Sequence, residues 1–276
     1  MTVLVSFMCG SHPRHLYIAN ELYKNGLLKS LVVEKREAFI PSPDPNWSQE
    51  DKALFIKHFK IRDESENKFF KDIPLDFFKS KVPVLEVSKD ELNSEKTLEF
   101  FNQDKADVLL TYGVHKISDE IIDNFQNNAF NIHGGLSPEF KGCITMFWPF
   151  YLLRPNWAGM TVHRLTKRLD GGDILHQCVP TLEYGDRMHD VANKAIVKLC
   201  SDLCLILKSI KDGSALKTVK QSRNGKLWIS EDWTVSHLHL IYDFYKDKIV
   251  DMYLNGEIYS PEVKLVNFFD SNSCKE

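Results

Sequence analysis

Paired cysteines, metal-binding histidine patterns, long apolar runs and an excess of positive charge are all missing from this chain. Its six cysteines (Cys9, Cys143, Cys178, Cys200, Cys204 and Cys274) form no C-x-x-C pair, so free thiols are expected, with Cys200 and Cys204 as core filling in an apolar helical stretch. The ten histidines contain no H-E-x-x-H. His237 and His239 have no third ligand nearby in the sequence, so no metal site is assigned and structural roles are expected for both. No apolar run reaches membrane length, since residues 147–153 are followed by Arg154 and Pro155. Residues 1–8 are apolar with no basic segment before them, which reads as a first buried strand rather than a signal peptide and points to a cytoplasmic protein. The net charge of −3 disfavours a protein that works by gripping nucleic-acid phosphates. There is no internal repeat and no low-complexity tract.

What remains is an ordinary globular composition, 43% hydrophobic and 26% charged, in a chain of 276 residues, long enough for one large domain with a smaller appendage. Strand patterns at 3–8, 31–33, 82–87, 106–110, 129–132, 160–166 and 174–179 alternate with helical ones at 15–24, 89–104, 117–125 and 191–210. The strands are apolar throughout, as in a parallel sheet covered on both faces. The fold class expected is therefore α/β, a Rossmann-like, mostly parallel sheet with helices on both faces. Residues 1–213 form the main region and 214–276 a small α+β extension with strands at 226–229 and 258–259, a helix near 236–245, and turns at Asn224-Gly225 and Asn255-Gly256. Residues 36–80 break the alternation and read as an insertion. Ser48 and Asp51 form a helix cap there, residues 53–59 are helical, and Phe55 and Phe59 share one side, for packing or for closing over a ligand. A further helix is expected at 145–153.

Chemistry concentrates in Asn131-Ile132-His133 and Leu169-Asp170-Gly171-Gly172. Two residues apart on a strand, Asn131 and His133 point to the same face. An amide N–H can donate to a carbonyl oxygen as negative charge builds there, and an imidazole titrates near neutrality and can move a proton. A carboxylate on a flexible loop can orient that imidazole. The set suits acyl transfer without a covalent enzyme intermediate. Alone, Asn-x-His is a weak signal, since a lone histidine is more often structural; the two segments together are a stronger one.

Together with Leu136-x-Pro138-x-Phe140-Lys141-Gly142, these segments resemble the signature of the folate-dependent formyltransferases, with 37 positions from His133 to Asp170. The resemblance covers residues 82–175 well and the first strand and last helix loosely. It implies that residues 1–213 are a formyltransferase catalytic domain, that Asn131, His133 and Asp170 are catalytic, and that N10-formyltetrahydrofolate is the formyl donor. It also implies that the pterin lies against residues 112–117 and 167–170, with His115, Ile117, Arg168 and Leu169 as approximate contacts. Gly135-Leu136-Ser137-Pro138 departs from the usual Ser-Leu-Leu-Pro, and Lys141 stands where Arg is common, which bears on acceptor contacts. The first turn lacks the glycine-rich phosphate loop of the purine enzymes. Ser11, His12 and Arg14 are candidates to meet a phosphate at a helix N-terminus, with a plain strand-to-helix turn as the alternative.

For the acceptor, residues 214–276 carry eight Lys/Arg against nine Asp/Glu, unlike the basic RNA-binding domain of the methionyl-tRNA enzymes. The glycinamide ribonucleotide enzymes are more compact. By elimination the expected acceptor is a nucleotide-linked amino sugar, as in sugar N-formyltransferases of polysaccharide biosynthesis. Alternatives are a glycinamide ribonucleotide or methionyl-tRNA acceptor, hydrolysis of the donor by water, and a non-catalytic folate- or nucleotide-binding module. The tail aromatics Trp228, Trp233, Tyr242, Tyr253 and Tyr259 are expected to form a small core, with stacking on a ligand as the second choice. The oligomeric state stays open, a homodimer included.

Overall fold

The alternation of strand and helix is present in the computed structural model, which describes residues 3–37, 40–167, 169–210, 216–221 and 225–270. In chain order it runs β1 (Val5–Gly10), α1 (Pro13–Lys24), β2 (Leu28–Glu34), α2 (Gln49–Phe69), α3 (Leu75–Lys79), β3 (Val84–Val87), α4 (Glu95–Asp104), β4 (Val108–Tyr112), α5 (Asp119–Asn124) and β5 (Ala129–His133). Then come β6 (Phe140–Gly142), α6 (Trp148–Tyr151), β7 (Met160–Arg164), β8 (Ile174–Cys178), α7 (Met188–Ser209), β9 (Lys226–Trp228), α8 (His237–His239), which continues as a π-turn through Leu240–Phe244, and α9 (Ile249–Leu254).

Seven strands form one sheet in the order β3-β2-β1-β4-β5-β7-β8. β1 to β5 are parallel, and β7 and β8 complete the sheet antiparallel. Every residue of β1 and of β4 is buried, as strands covered on both faces require. The chain winds away from β1 in both directions, so a crevice opens at the carboxyl ends of β1 and β4, where ligands bind in open α/β sheets. Into the floor of that crevice α1 inserts His15, which is buried against the Tyr112 ring. Gly113, at φ +65°, leaves room for it: a Cβ there would come within 2.4 Å of the His15 ring.

The inserted helix is longer than the sequence pattern suggests. Ser48 caps it as expected, its Oγ accepting the Asp51 N–H at 3.0 Å, but the helix runs on to Phe69 because its inner face packs along α7. One hydrophobic cluster joins Leu54 and Phe55 of this insertion, Leu136, Phe140 and Phe147 of the loop after β5, and Val235, Leu238, Ile241 and Tyr242 of the tail. The tail also supplies β9, which pairs in parallel with β6, a strand the sequence pattern did not reveal.

Residues 258–259, expected to be a strand, are not one. Ile258 turns into the core while Tyr259 is 89% exposed, and the Ile258 N–H bonds back to the Met252 carbonyl near the end of α9 instead of to a strand. The helix expected over 145–153 shrinks to Trp148–Tyr151, because Cys143 is drawn into pairing with Trp228 and Ile144 takes a left-handed conformation (φ +57°). The boundary expected between residues 213 and 214 and Asn224 of the expected turn lie outside the described residues. Among the described residues no helix is long and apolar enough to cross a membrane.

Gly142 ends β6 at φ +94°, and a Cβ there would lie 2.0 Å from the Trp228 carbonyl oxygen. Gly142→Ala is expected to cost about 1–3 kcal/mol and to lower the thermal midpoint by several degrees. A melting curve overlapping that of the wild type would show that the β6–β9 pairing tolerates a side chain.

Candidate active site

β5 ends at the crevice and carries Asn131 and His133 to the same side, as their spacing requires. The antiparallel neighbour β7 sets His163 directly opposite Asn131 and Thr161 opposite His133. Asp170 comes from the β7–β8 connection, where its backbone sits at φ +46°. All three sequence candidates, Asn131, His133 and Asp170, line one cavity of about 900 Å³.

Each group is oriented by a neighbour. Thr111 Oγ1 donates to Asn131 Oδ1 at 2.8 Å, which turns the amide NH₂ toward His163 Nε2, 3.4 Å away. His133 Nε2 lies 2.7 Å from the Phe140 carbonyl and must donate to it, so Nδ1 is the ring's remaining basic nitrogen. That nitrogen is 3.6 Å from Asp170 Oδ2, a little beyond direct hydrogen bonding. Asp170 Oδ2 accepts the Gly142 N–H at 2.8 Å, and Oδ1 lies 3.3 Å from His163 Nε2. From the tail, Gln221 Nε2 donates to the carbonyls of Asp170 (2.9 Å) and Gly172 (2.7 Å).

Burial lowers the pKa of His133 despite the opposing pull of Asp170, so the imidazole is neutral near pH 7 and able to accept a proton. For Asp170 burial acts upward, but the His163 hydrogen bond, the charges of His133 and His163, and the Gly142 N–H outweigh it and hold the carboxyl at about 2. The site thus pairs a neutral base with a permanent anion, an arrangement that can shuttle a proton beside a polarised carbonyl.

The irregular segment after His133 is fixed by its neighbours. Thr161 Oγ1 donates to the Gly135 carbonyl and accepts the Ser137 N–H, and Gln177 Nε2 donates to the Ser137 carbonyl at 2.6 Å. The Ser137–Pro138 peptide is cis.

The other sequence candidates divide. His115 and Ile117 line the cavity, as does Leu169, an apolar side chain left 62% exposed at its edge. His115 is tied to the base of the crevice: its Nδ1 meets the fully buried Glu34 carboxylate and Arg36 Nη1, and its N–H donates to Glu34 Oε2 at 2.9 Å. Arg168 lies outside the described residues. Arg14 reaches the cavity, but Ser11 and His12 are not among its lining residues. Ser11 Oγ accepts the Arg36 N–H, and His12 Nδ1 sits 3.1 Å from Arg14 Nη2, so both hold the first turn and its arginine. Lys141, on β6 opposite Leu227, is also absent from the lining.

Sequence reasoning missed Thr111 and His163. Thr111 is a buried hydroxyl in a strand that is otherwise apolar or aromatic, a signal that could have found it, whereas His163 is buried in a strand that also carries Thr161 and Arg164 and stands out less. It also missed the wall formed by α2 and the start of α7, where His58, Arg62, Glu66, His189 and Asn193 face the cavity. Among the described residues, metal-capable groups occur at His176, Cys178 and Asp202 and at Glu50, His239 and Asp243; neither borders the cavity. In the first, Lys198 Nζ already holds the Asp202 carboxylate that His176 Nε2 meets at 3.1 Å.

Residues 50–198, just over half of the chain, match the family model described as "Formyl transferase", and the chain belongs to that family. Among curated proteins it is similar to the bifunctional polymyxin resistance protein ArnA of Wigglesworthia glossinidia brevipalpis, 27% identical over 188 residues, or 68% of this chain and 26% of the relative. The chain thus spans about a quarter of that relative's length. Among solved structures, the phosphoribosylglycinamide formyltransferase of Anaplasma phagocytophilum superposes with a TM-score of 0.51 at 15% identity, over 83% of this chain and 99% of that one. WlaRD, a sugar 3N-formyl transferase crystallised with dTDP and 5-N-formyl-THF, gives a TM-score of 0.50 at 16% identity, over 85% of this chain and 72% of its own. At these identities the structural likeness establishes the α/β fold.

Because the folded pKa of Asp170 is depressed below the unfolded value near 4, its contribution to stability is present above pH 4 and is lost as pH falls toward 2. The loss should be on the order of 2 kcal/mol and should be absent from Asp170→Asn. Urea unfolding at pH 5 and pH 2.5 measures both; equal pH slopes in the two proteins would contradict the assignment.

Proposed function

We propose that this chain transfers a formyl group from N10-formyltetrahydrofolate to the amine of a nucleotide-linked amino sugar. The observation that carries the reading is the convergence of Asn131, a neutral His133 and an ionised Asp170 on one cavity. Membership of the formyl transferase family supports the reaction type. The donor supplies the formyl carbon, and the residues present suit it: Ile117 and the exposed Leu169 offer apolar surface to a flat ring, and Gly113 and Val114 offer main chain at the crevice floor. In this reading the Asn131 NH₂ donates to the formyl oxygen as the acceptor amine attacks. His133 Nδ1 takes up the proton released from that amine, Asp170 stabilises the resulting imidazolium, and the proton passes on to the departing nitrogen.

The choice of a sugar acceptor is supported by the weakly acidic tail and by the polar wall that the inserted helix adds. Residues 1–213 are taken as the catalytic region, with 214–276 as an extension that completes it by way of Gln221 and β9. Lys141 remains a candidate for the acceptor's outer part. The described cysteines are all free, in keeping with the reducing cytoplasm as its compartment.

Incubation with N10-formyltetrahydrofolate and nucleotide-linked amino sugars should release tetrahydrofolate in step with acceptor formylation. Asn131→Ala should slow this by about 10²–10³, and His133→Ala by about 10²–10⁴, with binding of tetrahydrofolate little changed. Full activity in either variant would remove that residue from the mechanism. Release in the absence of any amine would instead make water the acceptor.

A further inference from the structure

Two buried acceptor atoms on the α2–α7 side of the cavity have no hydrogen-bond partner among the described residues. One is Glu66 Oε2: the residue is 2% exposed, and Oε1 alone is engaged, by Arg14 Nη1 at 2.8 Å. The other is Nε2 of His189, a residue 9% exposed. Burial, helped by the charges of His58, Arg62 and Arg187, keeps the ring neutral, and with its proton on Nδ1, on the side of the His58 main chain, Nε2 carries a lone pair. Both residues line the cavity. On α2, His58, Arg62 and Glu66 recur every four residues and so share one face. That face is locked to α7: Ser65 Oγ donates to Asp190 Oδ1 at 2.7 Å and accepts from Asn193 Nδ2 at 2.9 Å, and the rings of His58 and His189 lie 4.6 Å apart. The two lone pairs are therefore held in fixed positions. The same wall is aromatic, with Phe59 and Trp233, and the buried Trp233 Nε1 is likewise unpartnered, a donor beside the two acceptors.

Buried polar atoms are almost always paired, and leaving one unpaired costs more than a hydrogen bond gains. A ligand that satisfies this wall must bring at least two hydrogen-bond donors, one acceptor and a face that can lie on aromatic rings. Hydroxyl groups on a saturated ring meet all three requirements. Resting on the formyl-transfer reading, we infer that the α2–α7 wall is a glycosyl subsite in which two hydroxyls of the acceptor donate to Glu66 Oε2 and His189 Nε2. The subsite selects acceptors by the ring that carries the amine, and the amine is thereby aimed at the Asn131–His133–Asp170 end of the cavity. The hydroxyls could belong to a hexose or to a ribose.

The test measures binding apart from turnover. A nucleoside-diphosphate 4-amino-4,6-dideoxyhexose, its 2-deoxy and 3-deoxy analogues, and phosphoribosylglycinamide are titrated calorimetrically into the wild type, Glu66→Gln and His189→Phe. Tetrahydrofolate release is followed in parallel, and thermal melting checks that each variant folds. Glu66→Gln keeps an oxygen for Arg14 while replacing Oε2 by an NH₂, and His189→Phe keeps the ring. Each should weaken binding of the hydroxyl-bearing acceptor by about 10- to 100-fold and raise KM accordingly, with kcat within about threefold. For the analogue lacking the matching hydroxyl, the variant should add no further loss. Preference for the hexose or for the ribose compound identifies the source of the hydroxyls. The inference is overturned if the variants bind as the wild type does, if they lose affinity equally for the deoxy analogues, or if the wild type binds neither glycosyl compound. Hydroxyl-dependent binding without tetrahydrofolate release would uphold the subsite and defeat the formyl-transfer reading, so the two failures are separable.

Discussion

The Asp170 carboxylate touches three separate stretches of chain: the Gly142 N–H at the end of β6, His163 on β7 and His133 on β5. A buried charge is tolerated only where hydrogen bonds and opposite charge replace the water it has lost. Here that replacement is drawn from the paired strands β5 and β7 of the main sheet and from β6, which lies outside it. The left-handed backbone at Asp170, the glycine at 142 and the antiparallel addition of β7 beside β5 all serve this one placement. Gln221 secures it from behind by holding the carbonyls on either side of the turn.

Burial keeps His133 neutral against the pull of Asp170, and the same framework sets its tautomer. Its Nε2 is committed to the Phe140 carbonyl, and Phe140 begins β6, whose far end carries the Gly142 N–H that binds Asp170. A single three-residue strand therefore sets both the tautomer of the base and the position of the anion. That strand has one pairing partner, β9 from the tail, and is otherwise held by the hydrophobic cluster shared with α2 and α6. The catalytic geometry and the packing of the inserted helix and tail are consequently one problem, solved by a common core.

Much of this was legible in the sequence. Apolar stretches such as that expected at 106–110, observed as the strand Val108–Tyr112, gave away the parallel strands, and the two-residue spacing of Asn131 and His133 put them on one face. Asp170 was found through its glycine-flanked loop and the resemblance that the loop carries. What stayed hidden depends on partners distant in sequence. β6 is too short to show a period, and it is a strand only because β9, which was legible at 226–229, lies beside it. The length of α2 is set by α7, and the helix was expected only over 53–59, short of the buried Glu66. Thr111 and His163 belong to no motif of their own, and only strand register puts them against Asn131. The expected strand at 258–259 failed for the converse reason: apolar residues were present, but the backbone there turns back onto α9.

The Gln221 amide that holds the backbone of Asp170 is encoded 51 residues after it, and the β9 partner of β6 follows later still. During synthesis the parallel strands β1 to β5 can pair once Ala129–His133 has emerged, while α1 still waits for α7 to cover it. The base and its carboxylate cannot reach their final spacing until residue 228 has left the ribosome. The nascent chain is thus a folded sheet with an unfinished site for the whole interval between those two events.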